Sequence, residues 1–152
     1  MGLFTSINIA ATGMSAERLR SDVISNNIAN ASTTRTQEGG AFKRARVIVQ
    51  PVAQKNPTYT SPFIPSSLDN GPGRGVKVLE IVKDTSEGRF VYDPDHPHAI
   101  KSGPHAGYVE YPNVNIVNEM VDLISASRAY EANATVVEGA KDMFTAAMEI
   151  GR

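Results

Sequence analysis

The side chains able to ligate a metal gather in one stretch: Asp93, Asp95, His96, His98 and His105. A His-x-His spacing on a strand would put both imidazoles on one face, the start of a zinc-type site. Pro94 and Pro97 interrupt that geometry and no third ligand is set by spacing, so the stretch reads as a polar loop shaped by proline. Gly71-Pro72-Gly73-Arg74-Gly75 is glycine-rich like a phosphate loop, but it lacks the Lys-Ser/Thr pair and the helix that must follow. It reads as a turn into the strand that starts at Val76. No Ser, His and Asp arrangement has the strand-turn-helix context of a nucleophile elbow, and the sequons at Asn30 and Asn133 are short enough to arise by chance. The expectation is no catalytic residue, no metal and no cofactor. A metal-binding module or enzyme using the loop from Asp93 to His98 is the alternative.

Positioning any such group falls to elements that composition already constrains. With 152 residues and 41% hydrophobic content, the chain suits one folded domain or two small ones. No apolar run is long enough to span a bilayer, and the start MGLFTSINIAATGMS has no basic n-region, so neither an anchor nor a cleaved signal peptide is expected. The chain has no cysteine, which excludes disulfides and thiolate metal sites. Charge is unevenly placed. Residues 1–50 carry Arg18, Arg20, Arg35, Lys43, Arg44 and Arg46 against Glu17, Asp22 and Glu38, whereas residues 113–152 carry Glu119, Asp122, Glu131, Glu138, Asp142 and Glu149 against Arg128, Lys141 and Arg152. The two ends are expected to attract each other. Phe42 alone among the aromatics lies between the basic residues of the N-terminal half, too little for a stacking platform, so no nucleic-acid partner is expected.

The longest predicted element runs from Ile116 to Met148. Steps of four and three residues select Ile116, Met120, Leu123, Ser127, Tyr130, Ala134, Val137, Lys141, Phe144 and Met148, a heptad seam in which only Ser127 and Lys141 are polar. Without proline and at about 1.5 Å per residue this is a rod of roughly 50 Å, longer than the rest of the chain can cover. It needs a partner helix, in the chain or in neighbouring subunits. A second helix is predicted from Leu3 to Ala31, with Leu3, Ile7, Ala10 and Met14 on one face, then Leu19, Val23, Ile24 and Ile28. Ala10, Ala11, Gly13 and Ala16 along it allow close approach of another backbone. The Asn, Ser and Thr residues from Ser25 to Thr34 end it by competing for backbone hydrogen bonds.

All nine prolines fall between Pro51 and Pro112, which excludes long helices there. Strands are predicted at Phe42 to Gln50, Val76 to Lys83 and Arg89 to Tyr92, the last two joined by the turn from Asp84 to Gly88, giving a small antiparallel sheet. The segment from Ala53 to Gly75 is poor in large apolar groups and reads as a long exposed loop and contact arm. The fold class expected is α+β: long N- and C-terminal helices pairing as a coiled-coil-like bundle with a small β-rich insert. The domains are residues 1–34 with 114–152, discontinuous and helical, and 35–113, the insert.

Ser25-Asn26-Asn27-Ile28-Ala29-Asn30-Ala31-Ser32-Thr33 resembles the signature that closes the first helix in the flagellar rod and hook family. The resemblance extends through Gly75-Val76-Lys77-Val78, Tyr92-Asp93-Pro94-Asp95-His96-Pro97, Tyr111-Pro112-Asn113-Val114-Asn115, Glu119-Met120 and Ser127-Arg128-Ala129-Tyr130-Glu131-Ala132-Asn133, and narrows to the short proximal-rod members. It implies a structural subunit, exported unfolded by the flagellar type III apparatus without signal cleavage. Such subunits assemble with copies of themselves and with other rod subunits into a helical tube across the periplasm that transmits torque. No small-molecule substrate is implied. The assembly interface expected on this reading comprises Leu3, Ile7, Met14, Leu19, Val23, Asn27, Ile28, Ala29 and Asn30 at the N-terminal end. At the C-terminal end it comprises Met120, Leu123, Tyr130, Ala134, Val137, Phe144 and Met148.

Overall fold

The computed structural model describes residues 3–52 and 73–150. Its elements follow in the order α1 (Leu3–Ala29), β1 (Ala45–Pro51), β2 (Val76–Lys83), β3 (Arg89–Tyr92), β4 (Tyr108–Tyr111) and α2 (Ile116–Ile150). The α+β class is as expected, two long helices enclosing a small β insert. The loop anticipated between Ala53 and Gly75 lies, apart from its last three residues, outside the described residues.

Side-chain amides set the helix ends. At the close of α1 the Asn30 side chain donates to the Asn26 carbonyl at 2.9 Å, which also accepts the Asn30 N–H at 3.1 Å, and it accepts from Thr33 Oγ1 at 3.1 Å, side-chain bonds that compete with the helical pattern where it stops. At the start of α2, Asn115 Oδ1 accepts from the backbone N–H groups of Val117 and Asn118, at 3.0 and 3.4 Å. Asn115 is therefore the N-cap.

The strands form two separate pairs. β1 pairs with β2 and β3 with β4, so the run from Asp84 to Gly88 connects two ribbons and does not close a β2–β3 hairpin. In the second ribbon, antiparallel, Arg89 faces Tyr111 and Val91 faces Val109. Strand β4 was not among the expected strands. Its four residues, bounded by Gly107 and Pro112, are too few to show a period, yet they supply the most deeply buried strand side chain, Val109 at 1% exposure.

Two compact units result. The first comprises Met1–Leu19, Ile48–Glu80 and Ala126–Arg152. In it α1 and α2 run antiparallel, with the Phe4 and Phe144 rings 6.3 Å apart and Gly13 against Asn133. A Cβ on Gly13 would lie 3.0 Å from the Asn133 amide nitrogen. Ala10, Ala16, Ala126 and Ala140 are buried there, small side chains that let backbones approach closely. Strand β2 is tied to α1 through Thr12, whose hydroxyl donates to the Ile9 carbonyl at 2.7 Å and accepts from the Val76 N–H at 3.2 Å. Gly75 precedes that bond with φ +100, and a Cβ there would run into Thr12 Oγ1, so glycine is required on both counts.

The second unit comprises Arg20–Val47 and Ile81–Ser125. Its buried apolar side chains are Ile24, Ala41 and Val109, joined by the buried polar residues Asn27 and Glu119. Across both units most large apolar side chains of α2 are exposed, including Val117, Met120, Val121, Ile124 and Met148. Among the described residues no helix is long and apolar enough to cross a membrane.

A buried polar cluster as the candidate functional site

The polar core of the second unit is built around Glu119, 1% exposed. It sits one turn into α2, where the Asn115 cap fixes the helix start. One carboxylate oxygen accepts from Arg44 Nε at 2.5 Å, and the other accepts from Asn27 Nδ2 at 2.9 Å. The Asn27 amide also bridges a single residue of β1: Nδ2 donates to the Ala45 carbonyl at 2.8 Å and Oδ1 accepts from the Ala45 N–H at 3.0 Å. Asn27 thus satisfies a strand residue as a neighbouring strand would, while holding the α2 carboxylate. Every group in this exchange is paired, which a buried polar cluster requires to be favourable.

Arg44 spreads the cluster further. Its second nitrogen reaches Asp122 at 3.2 Å, and its backbone N–H donates to Asn113 Oδ1 at 2.8 Å. The Asn113 amide donates in turn to Ser86 Oγ at 2.9 Å. Lys43 pairs with Glu110 at 2.9 Å, and Arg20 lies 3.9 Å from Asp122. The attraction expected between residues 1–50 and 113–152 is realised in the pairs of Arg44 with Glu119 and Asp122 and of Arg20 with Asp122. Two carboxylates outside the buried cluster are perturbed, Asp84, half-buried, and Glu38, exposed. The backbone N–H of Ser86, then its hydroxyl, hold the Asp84 carboxyl below the usual range, and Lys83, through a hydrogen bond and its charge, does the same for Glu38.

This cluster locks the second unit together. Two residues of the recognised motifs, Asn113 and Glu119, bind Arg44, which no motif had singled out, and a third, Asn27, joins them through Glu119 and Ala45. The expected interface residues divide by environment. Asn27 is buried with its side chain occupied inside the chain, whereas Ile7, Met14, Leu19, Val23, Ile28, Asn30, Leu123, Ala134 and Val137 are half-buried. Ala29, Met120, Tyr130, Phe144 and Met148 are exposed, and the side chain of Leu3 is outside the described set.

The histidines take other partners. His98 Nδ1 is 2.8 Å from Thr34 Oγ1, His96 Nδ1 accepts from the His98 N–H at 3.1 Å, and His105 stacks on Phe90 with centroids 4.6 Å apart. Among the described residues no three His, Asp or Glu side chains meet to hold a metal. Replacing both His96 and His98 with Asn is expected to leave assembly intact, at about 0.5 to 1.5 kcal/mol for each hydrogen bond lost. A motility assay of the double variant checks this, and stoichiometric zinc lost together with motility would contradict it.

Comparison with known proteins defines the class. Residues 7–37 match the family model described as flagella basal body rod protein, and residues 105–150 match that described as flagellar basal body rod FlgEFG protein C-terminal. These two segments contain Asn27, Asn113 and Glu119, and they mark a structural rod protein of the bacterial flagellum. The chain is 59% identical over 150 residues to the flagellar basal-body rod protein FlgC of Borreliella burgdorferi, covering 99% of this chain and 98% of the relative. It is 39% identical over 157 residues to that of Bacillus subtilis and 30% over 155 residues to that of Salmonella typhimurium, each covering 100% of both chains. The chain belongs to the FlgC family of flagellar basal-body rod proteins. It is a structural component of the basal-body rod and not an enzyme.

Proposed function

We propose that this chain is a subunit of the proximal part of the rod, self- and co-assembling with other rod subunits into a helical tube that transmits torque. Residues 1–34 and 114–152 form the assembling helical layer, and residues 35–113 are the insert. The chain reaches the periplasm through the flagellar type III apparatus without a cleaved signal. The observation that carries this reading is α2 itself. It presents Met120, Tyr130, Phe144 and Met148 to solvent at 42 to 63% exposure, while its buried positions are mainly small or polar. A face of that kind is finished only by other helices. Contacts between unlike surfaces of successive copies extend without closing when the rotation does not return to its start.

The test is Ala134→Asp. Ala134 is half-buried on the heptad seam, and a carboxylate covered by a neighbouring subunit without a partner costs several kcal/mol in every copy. Rods are expected to be absent from basal bodies of the variant and swimming to be lost. Rods of normal length and normal swimming would mean that this seam faces solvent in the assembly.

A further inference from the structure

Resting on the rod-subunit reading, we propose that the outer stripe at the start of α2 receives the last two turns of α2 from a second copy. The receiving stripe is Val117, Met120, Val121 and Ile124, spaced i, i+3, i+4, i+7 and exposed at 53 to 68%. That spacing is the anchor pattern of a helix laid against another helix. Beyond Ile124 the apolar character on that side gives way to Arg128, Glu131 and Thr135, so the patch is local. The stripe adjoins a cavity of about 450 Å³ lined by Arg89, Tyr111, Pro112 and Val114 together with Ile116 and Val117.

The occupant is chosen by shape and charge. Met143, Ala146, Ala147 and Ile150 repeat the same spacing at the other end of α2, all exposed, with the small alanines in the middle where the receiving stripe is bulky. Asp142 and Glu149 flank Ala146 as helix neighbours. Neither makes an ion pair among the described residues. At the receiving end the carboxylates of Glu119 and Asp122 are engaged by Arg44. The free charge beside the stripe is Arg89, which lies over the Tyr111 ring at 5.6 Å and has no ion pair among the described residues. An apolar helix end edged with carboxylates therefore meets an apolar stripe edged with a guanidinium. Both stripes lie on one continuous helix, Ile116–Ile150, which cannot fold back on itself, so they meet only between copies. The contact is heterologous and leaves one stripe open at each end of a growing row.

The chain contains no cysteine, so disulfide trapping reads this contact without background. Full-length chain carrying Val121→Cys with Ala147→Cys is expressed in flagellated cells, and basal bodies are purified and oxidised. A ladder of disulfide-linked multimers is expected from the double variant and monomer from each single variant. A second pair, Val117→Cys with Met143→Cys, keeps the same register between the two stripes and should give the same ladder. Chain present in basal bodies at its normal level but monomeric after oxidation in both pairs would overturn the pairing while leaving the rod-subunit reading in place. Wild-type chain missing from purified basal bodies would overturn both.

Discussion

Replacing Glu119 with Ala is expected to destabilise the isolated chain by about 3 kcal/mol, roughly a hundredfold in its folding equilibrium. The carboxylate is 1% exposed and is shared by Arg44 and Asn27. Its removal leaves the Arg44 guanidinium with Asp122 as its remaining side-chain partner and costs the Asn27 amide one acceptor. Breaking a buried pair from one side costs about 3 to 5 kcal/mol. The lower end applies because Arg44 keeps 23% exposure and water can reach it. Replacing both members, Arg44→Met with Glu119→Leu, should recover most of the loss, since apolar substitutes for a buried ion pair are often neutral. Urea midpoints with an unchanged slope would measure both values. A single variant as stable as the parent would show that the cluster contributes nothing to folding.

The second large effect is expected at Gly88, immediately before β3. A Cβ at this position would run into the carbonyl oxygen of Tyr111, whose residue pairs with Arg89 across the ribbon. The obstacle is backbone and cannot rotate away, so Gly88→Ala must displace the β3–β4 ribbon. Overpacking of this kind costs about 1 to 3 kcal/mol and more when backbone is forced to move. The ribbon carries Val109 into the core of its unit and Glu110 to Lys43, so the damage should spread along it. Faster amide exchange at Phe90, Val91 and Val109, with Ala10 and Ala16 unaffected, is the expected pattern. Unchanged exchange throughout would contradict it.

Periodicity made the helices legible. The predicted spans, Leu3 to Ala31 and Ile116 to Met148, differ from the observed ones by two residues at their C-terminal ends, because both runs are free of proline and Asn or Thr side chains mark the end of α1 and the start of α2. Three strands were also legible, but their pairing was not. A turn-like run from Asp84 to Gly88 suggests a hairpin, yet β1 satisfies β2, and β3 takes the short β4 instead. The lock was the least legible feature. A search for apolar repeats passes over Glu119, although it lies one residue before Met120 of the seam. Its partners Arg44 and Asn27 stand 75 and 92 residues away, and pattern within a window carries no information about partners at that range. The signature motifs pointed to Asn27, Asn113 and Glu119 without saying that they meet.

The exposed apolar face of α2 is the proposed assembly surface. A density map of intact basal bodies, resolved well enough to trace side chains, tests it directly. This chain is expected in the rod wall with Met120, Tyr130, Phe144 and Met148 covered by helices of neighbouring subunits. A map in which those four side chains of an assembled copy face water would contradict it.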